Sequence, residues 1–260
     1  MKPTSFINSL FAVSLISAGG VIAGETVKVS GKASPAVEAP YEANRGLLTI
    51  EGPTGLFINP TSATLPKGAF TAQYCFLLPD FDFKDVIVHG AMVAYGVTDW
   101  LEVGALGLYV QDADLWNVGP MIRLRLLKHE GFIPQFSIGG YGRFGDRAIT
   151  SGSAFAALTE RFEVKAGPIQ SVAFDAGVRE TWTDLGSNKD SFRGYFGLEV
   201  QLPARIYAIG EVATKSSVDN VVPWAAGFQW RAGGINISTA AVELGDGGKL
   251  GFFFGIGTQF

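Results

Sequence analysis

The residues able to do acid, base or nucleophilic chemistry are few. His89 and His129 are the two histidines of the 260-residue chain. A hydrolase built on a membrane-facing wall needs a His beside a Ser, so that the base can activate the hydroxyl. His89 lies in V-I-V-H-G-A-M with no Ser in its own segment, and His129 sits between Lys128 and Glu130 in a predicted turn. Catalysis is therefore not expected, and His89 is read as a polar residue facing inward. Cys75 is the single cysteine, and no C-x-x-C or Cys/His cluster exists to hold a metal or an internal disulfide framework. Gly140 to Gly145 spells G-x-G-x-x-G, but a phosphate cradle must leave a strand and open a helix. Here the run leaves a strand for a polar loop, and its glycines are better suited to barrel curvature. No catalytic, cofactor or metal residues are expected.

What remains is a set of charges spaced through apolar segments. Arg123, Arg125, Arg143, Arg161, Arg179, Arg193 and Arg231 stand beside Glu102, Glu163, Asp175, Glu199 and Glu211. Two kinds of chemistry fit them. They form a selectivity lining, in which basic residues attract anions and acidic ones cations, or they interlock as ion pairs that fill a narrow interior. A second group, from Asp80, Asp82 and Asp85 through Asp112, Asp114, Asp146, Asp184, Asp190 and Asp219 to Asp246, falls between segments. Such a rim suits divalent cations bridging to lipopolysaccharide phosphates, or it is simply solvated.

The elements that must position these charges are strands. In 116–127, Trp116, Val118, Pro120, Ile122, Leu124 and Leu126 alternate with Asn117, Gly119, Met121, Arg123 and Arg125. In 191–202 and 222–231 the same period of two separates Phe192, Phe196, Leu198 and Phe228 from Arg193, Glu199, Gln229 and Arg231. A Lys or Arg facing lipid at the bilayer midplane costs about 2–4 kcal/mol, so charges of one parity point to a polar interior. Glu160, Glu180 and Glu243 break that parity, which predicts bulges or an error in the strand frame near them. From residue 69 onward the pattern predicts twelve strands: 69–78, 85–97, 100–110, 116–127, 132–144, 154–165, 171–183, 191–202, 205–214, 222–231, 235–244 and 249–260. The sixth, with A-F-A-A-L-T-E-R-F, also reads as a helix. An even strand count puts both barrel ends on one side. The five tryptophans, Trp100, Trp116, Trp182, Trp224 and Trp230, fall near strand ends, as an interfacial girdle requires.

The closing segment K-L-G-F-F-F-G-I-G-T-Q-F sets Leu250, Phe252, Phe254, Ile256, Thr258 and Phe260 against a small or polar face. It resembles the last strand of bacterial outer-membrane β-barrels, whose terminal Phe is read by the barrel-assembly machinery; the resemblance implies that role for Phe260. The turn from Tyr95 to Gly104, Y-G-V-T-D-W-L-E-V-G, resembles a hairpin of uncharacterised outer-membrane barrel families, among them transporters associated with aromatic catabolism.

Composition agrees. Hydrophobic residues reach 47% and the 34 glycines are roughly twice ordinary usage. Lys2 followed by an apolar run from Leu10 to Ala23 reads as a signal peptide over 1–23. Losing Lys2 takes the net charge from −4 to −5, so nucleic acid is not an expected partner. Residues 24–66 carry Pro35, Pro40, Pro53, Pro60 and Pro66 and little alternation, and are too short for a core of their own. They are a periplasmic lead-in or a plug, ahead of a barrel over 67–260. The expected fold is all-β, a transmembrane antiparallel up-and-down barrel of about twelve strands. The expected function is a pore or transporter for small hydrophilic solutes in the bacterial outer membrane. A non-conducting structural or interaction barrel of the envelope is the alternative. Expected partners are outer-membrane lipid, lipopolysaccharide and the assembly machinery.

Overall fold

The computed structural model describes residues 48–49, 55–78, 87–111, 113–129, 133–145, 150–184, 188–216, 221–244 and 249–260. The signal peptide and most of the acidic rim lie outside them. Twelve strands follow in chain order: β1 Phe70–Leu78, β2 Val88–Thr98, β3 Leu101–Val110, β4 Leu115–Leu127, β5 Gln135–Gly145, β6 Thr150–Ala166, β7 Ile169–Asp184, β8 Asn188–Leu202, β9 Ile206–Ala213, β10 Trp224–Ala232, β11 Ile235–Glu243 and β12 Gly251–Gln259. Each pairs antiparallel with its sequence neighbours, and β1 pairs with β12 to close the barrel. Closure leaves no strand edge without hydrogen bonds, the condition for crossing a bilayer with sheet. At the seam Phe70 and Phe260 exchange backbone hydrogen bonds of 3.0 and 2.8 Å.

Alternation decides which face is which. Ile122, Phe144, Phe192 and Phe228 point outward and are more than half exposed, while the intervening residues are buried or half-buried. An apolar belt of this kind is unstable in water and is what a lipid-facing wall requires. All five tryptophans point outward at or beside strand ends. Trp116, Trp182 and Trp224 stand at the rim distal to the chain ends, and Trp100 and Trp230 at the other.

Three details depart from the sequence reading. First, β6, β7 and β8 run to 17, 16 and 15 residues, so much of the expected loops 145–153 and 184–190 is strand. Their Thr, Ser, Asn and Lys residues look like turn formers, yet Thr150 pairs with Asp184 and Thr183 with Lys189. At about 3.3 Å per residue and a 45° tilt these strands outreach a 25 Å apolar band. They extend the wall beyond the membrane, where polar residues are solvated. The sixth segment, open to a helical reading, is thus the longest strand.

Second, Glu160, Glu180 and Glu243 sit in unbroken register with Phe174, Phe192 and Trp224. They face outward without bulges. Glu180 and Glu243 lie near the distal ends of their strands, where lipid-facing charge costs little, and Glu243 Oε2 accepts a 2.6 Å hydrogen bond from the Trp224 indole. The register shifts occur instead between Gly96 and Thr98, Arg125 and Leu127, and Glu163 and Ala166. All three lie at the rim that carries the chain ends, a usual place for barrel bulges.

Third, His89 faces outward. Its ring stacks between Tyr74 and Tyr109, with centroids 6.0 and 6.1 Å away. Nδ1 lies 2.6 Å from the Tyr74 hydroxyl and Nε2 3.1 Å from Gln111 Oε1. Tyr74 and Gln111 give the imidazole its polar partners on the outer wall, so the parity of β2 wins over polarity.

The interior is not empty. Leu48, Leu56, Phe57, Ile58 and Leu65 are buried with inward residues of the barrel wall, among them Leu77, Val88, Met92, Leu106, Leu108 and Phe253. The Phe57 and Phe253 rings approach to 5.8 Å between centroids.

Candidate functional site

The site is the lumen and the chain segment within it. Residues 55–60 fold into a tight loop, bridged between Gly55 and Pro60 and closed by a 2.9 Å hydrogen bond from Leu56 N to Asn59 O. Successive backbone N–H groups in a turn point to one side and make a concave seat for an anion. Here the anion is Glu211 of β9. Its carboxylate accepts from Phe57 N at 2.7 Å, Ile58 N at 2.6 Å, Asn59 N at 2.9 Å and Asn59 Nδ2 at 2.9 Å.

From that clamp the segment walks along the wall. The carbonyl of Ile58 accepts from Arg179 Nη1 at 3.2 Å, and that of Pro60 from the Tyr195 hydroxyl at 2.8 Å. Ser62 N donates to Thr159 Oγ1 at 3.0 Å while its carbonyl accepts from Gln135 Nε2 at 2.9 Å. The Ala63 carbonyl accepts from Arg123, and Leu65 N donates 2.9 Å to Glu102. The partners therefore pass from β9 through β7 and β8 to β6, β5, β4 and β3, each meeting the backbone polar groups of a segment that has no ladder of its own. A buried backbone group left without such a partner costs roughly 1–3 kcal/mol. Close approach is also built in at Gly197, on the inward face of β8, where a Cβ would stand 2.0 Å from Leu56 Cδ1.

The remaining charges pair laterally. Glu199 takes Arg161 and Arg231 on its two oxygens, both at 2.7 Å. Arg231 lies 3.6 Å over the Tyr207 ring, and its Nε and Nη2 donate to Gln229 Oε1 at 2.9 and 2.6 Å. Asp175 accepts a 2.5 Å hydrogen bond from Thr159. Arg143 donates to Ser151 Oγ at 3.1 Å, and Arg193 caps the carbonyls of Thr214 and Val221 near the distal rim. Thus Arg123, Arg143, Arg179, Arg193, Arg231, Glu102, Asp175, Glu199 and Glu211 all have buried side chains on inward positions. Arg125 is half-buried beside the β4 bulge, and Phe260 is 77% exposed at the seam.

The segment's neutral partners, Gln135, Thr159 and Tyr195, carry no charge pattern and are invisible to parity counting. The signal available for the segment itself was the proline-broken patch around Gly55 to Pro60, which excludes a strand yet is too apolar for a solvated linker.

A closed twelve-stranded up-and-down ring with an outward apolar belt and a polar interior decides the architecture. The fold is that of an outer-membrane β-barrel. Among solved structures, a KdgM porin matches with a TM-score of 0.55 at 7% identity, over 73% of this chain and 99% of the porin. A KdgM porin in complex with disordered oligogalacturonate matches at 0.52 and 6%, over 74% and 98%. The translocator domain of the autotransporter NalP from Neisseria meningitidis gives 0.40 at 14%, over 74% and 87%. At such identities the likeness concerns the fold. No protein-family model matches the chain, and no curated protein matches it.

Proposed function

We propose that the protein is an outer-membrane channel for small hydrophilic solutes whose lumen is held closed by residues 55–65. The observation that carries this reading is the Glu211 clamp. A barrel needing only to be filled does so with its own inward side chains, whereas here a separate segment is held mainly through its backbone by one carboxylate and a line of side chains. Contacts of that kind are exchanged for water when the segment leaves, exposing an interior lined with arginine. Among the side chains described, inward positions carry Arg123, Arg125, Arg143, Arg161, Arg179, Arg193 and Arg231 against Glu102, Glu163, Asp175, Glu199 and Glu211, seven arginines to five acids. That excess favours small anions in the open state. Export through the leader at 1–23, residence in the outer membrane beside lipopolysaccharide, and assembly through the terminal Phe260 belong to the same reading.

The test is single-channel current through the refolded mature protein in a planar bilayer, beside a form lacking residues 25–65. The full chain is expected to show rare or small openings and the shortened form steady conductance with anion preference. Silence from a shortened form that folds would overturn the channel reading. It would favour the structural barrel, for which the specific support is the apolar packing of Leu56, Phe57 and Ile58 inside the wall.

A further inference from the structure

One part of the lumen wall is polar and unsatisfied. Gln73 of β1, Asn236 and Ser238 of β11 and Gln229 of β10 are all buried, none more than 5% exposed. Both polar atoms of the Gln73 amide and both of the Asn236 amide lack a hydrogen-bond partner, as do Ser238 Oγ and Gln229 Nε2. The cysteine two residues along from Gln73 offers only a weak thiol. A buried polar atom left unpaired costs on the order of 1–3 kcal/mol, so this cluster is a place where a ligand's hydroxyls would be gained at little cost.

Register places them together. Gln73 faces Gly257, Gly257 faces Asn236, and Asn236 faces Arg231. In the adjoining inward row Gly255 faces Ser238, which faces Gln229. Gly257, which has no side chain, thus leaves a notch between Gln73 and Asn236, two strand spacings or about 10 Å across. Gly255 must stay bare, because a Cβ there would approach Ser238 Oγ to 2.8 Å. Arg231 beside it is already engaged by Glu199 and Gln229, so the notch presents amide and hydroxyl groups.

We infer that this notch is a solute subsite for a neutral polyhydroxylated molecule of sugar type. Amides offer donors and acceptors at once, which is the pattern a row of hydroxyls matches; an ionic solute finds no free counter-charge there. The notch lies in the half of the lumen nearest the chain ends, and Phe57 packs on Phe253, two residues from Gly255 along β12. The inference rests on the channel reading above and adds a place where the passing solute pauses.

The test uses Glu211→Ala as the background, to loosen the segment, with maltose as probe and polyethylene glycol of equal mass as control. Maltose is expected to interrupt the current with a resolvable residence time and the glycol only to lower it. Adding Gln73→Leu and Asn236→Leu is expected to shorten maltose residence at least tenfold while conductance and the glycol response stay unchanged. Folding is checked by heat-modifiable gel migration, and Asn236→Ser replaces the double change if that fails to fold. Equal responses to maltose and glycol, or residence unaffected by the substitutions, would overturn the subsite. If the background protein does not conduct, the thermal midpoint in detergent is read with and without maltose. A rise abolished by the substitutions supports the notch while the channel reading falls; the absence of any rise means the notch holds only water and sinks the proposal.

Discussion

Glu211 is the residue on which the interior turns. One carboxylate satisfies three successive backbone N–H groups and one side-chain amide. Its loss leaves four buried donors without an acceptor, and charge-assisted bonds are worth more than neutral ones. Glu211→Ala is expected to destabilise the seated segment by on the order of 3–5 kcal/mol, because little water reaches the site. In bilayers this appears as a rise in open probability of at least tenfold; in proteolysis, as cleavage within 55–65 while the barrel survives. Glu211→Gln keeps one acceptor oxygen and is expected to fall between. An unchanged proteolytic pattern in Glu211→Ala would mean that apolar packing, and not the clamp, seats the segment. Glu199 is a different case. It bridges Arg161 and Arg231 within the wall, so Glu199→Ala is expected to lower heat stability by about 3–5 kcal/mol without freeing the segment, measured as the gel-shift midpoint.

At the scale of elements, β6 carries the sharpest contrast between local propensity and outcome. Its Ala-, Leu- and Glu-containing stretch suits a helix as well as a strand, and only pairing with β5 and β7 along nearly its whole length settles it. Helical geometry there would strand the inner-facing hydrogen bonds of two neighbours within lipid. The face assignment of β6 is directly testable. Leu158 points outward near mid-strand and Ala157 inward. Leu158→Arg is expected to cost about 2–4 kcal/mol and to reduce the yield of refolding into vesicles several-fold. Leu158→Phe, which keeps an apolar side chain on the same wall, is expected to refold like the parent. Equal yields for Arg and Phe would show that the β6 face is misassigned. The seam makes a second prediction. Phe260 joins Phe70 through two backbone hydrogen bonds while its side chain is largely exposed. Deleting Phe260 is expected to lower the thermal midpoint only by the worth of two hydrogen bonds, about 1–3 kcal/mol, yet to cut assembly in cells by far more, measured as folded protein in outer-membrane fractions. Equal effects on both would remove the assembly role.

At the scale of the whole molecule, the barrel has a chemically uneven interior: apolar side chains on β1–β3 and β12, buried amides and a hydroxyl on β1, β10 and β11, an ionic wall on β3–β10, and a segment that bonds to the ionic wall and packs on the apolar side chains. What the sequence by itself determined was the wall. Parity along a strand is local, the cost of charge in lipid is large, and turns punctuate the chain at regular intervals, so the number, order and facing of the strands are legible from Trp116 to Arg125 or from Phe192 to Gln201 without any partner. Where that logic weakened, as at His89 and in the polar ends of β6 to β8, the deciding contact came from a neighbouring strand: Tyr74 and Tyr109 beside the imidazole, Asp184 opposite Thr150. The contents of the barrel were decided only by the tertiary structure. Residues 55–65 have no period to read, and their seat on Glu211 joins positions more than 150 residues apart. The amide notch joins Gln73 to Asn236 across the seam of the closed barrel. Closure brings together residues that no spacing in the chain relates, and it is closure that turns an alternating wall into an enclosed and chemically uneven lumen.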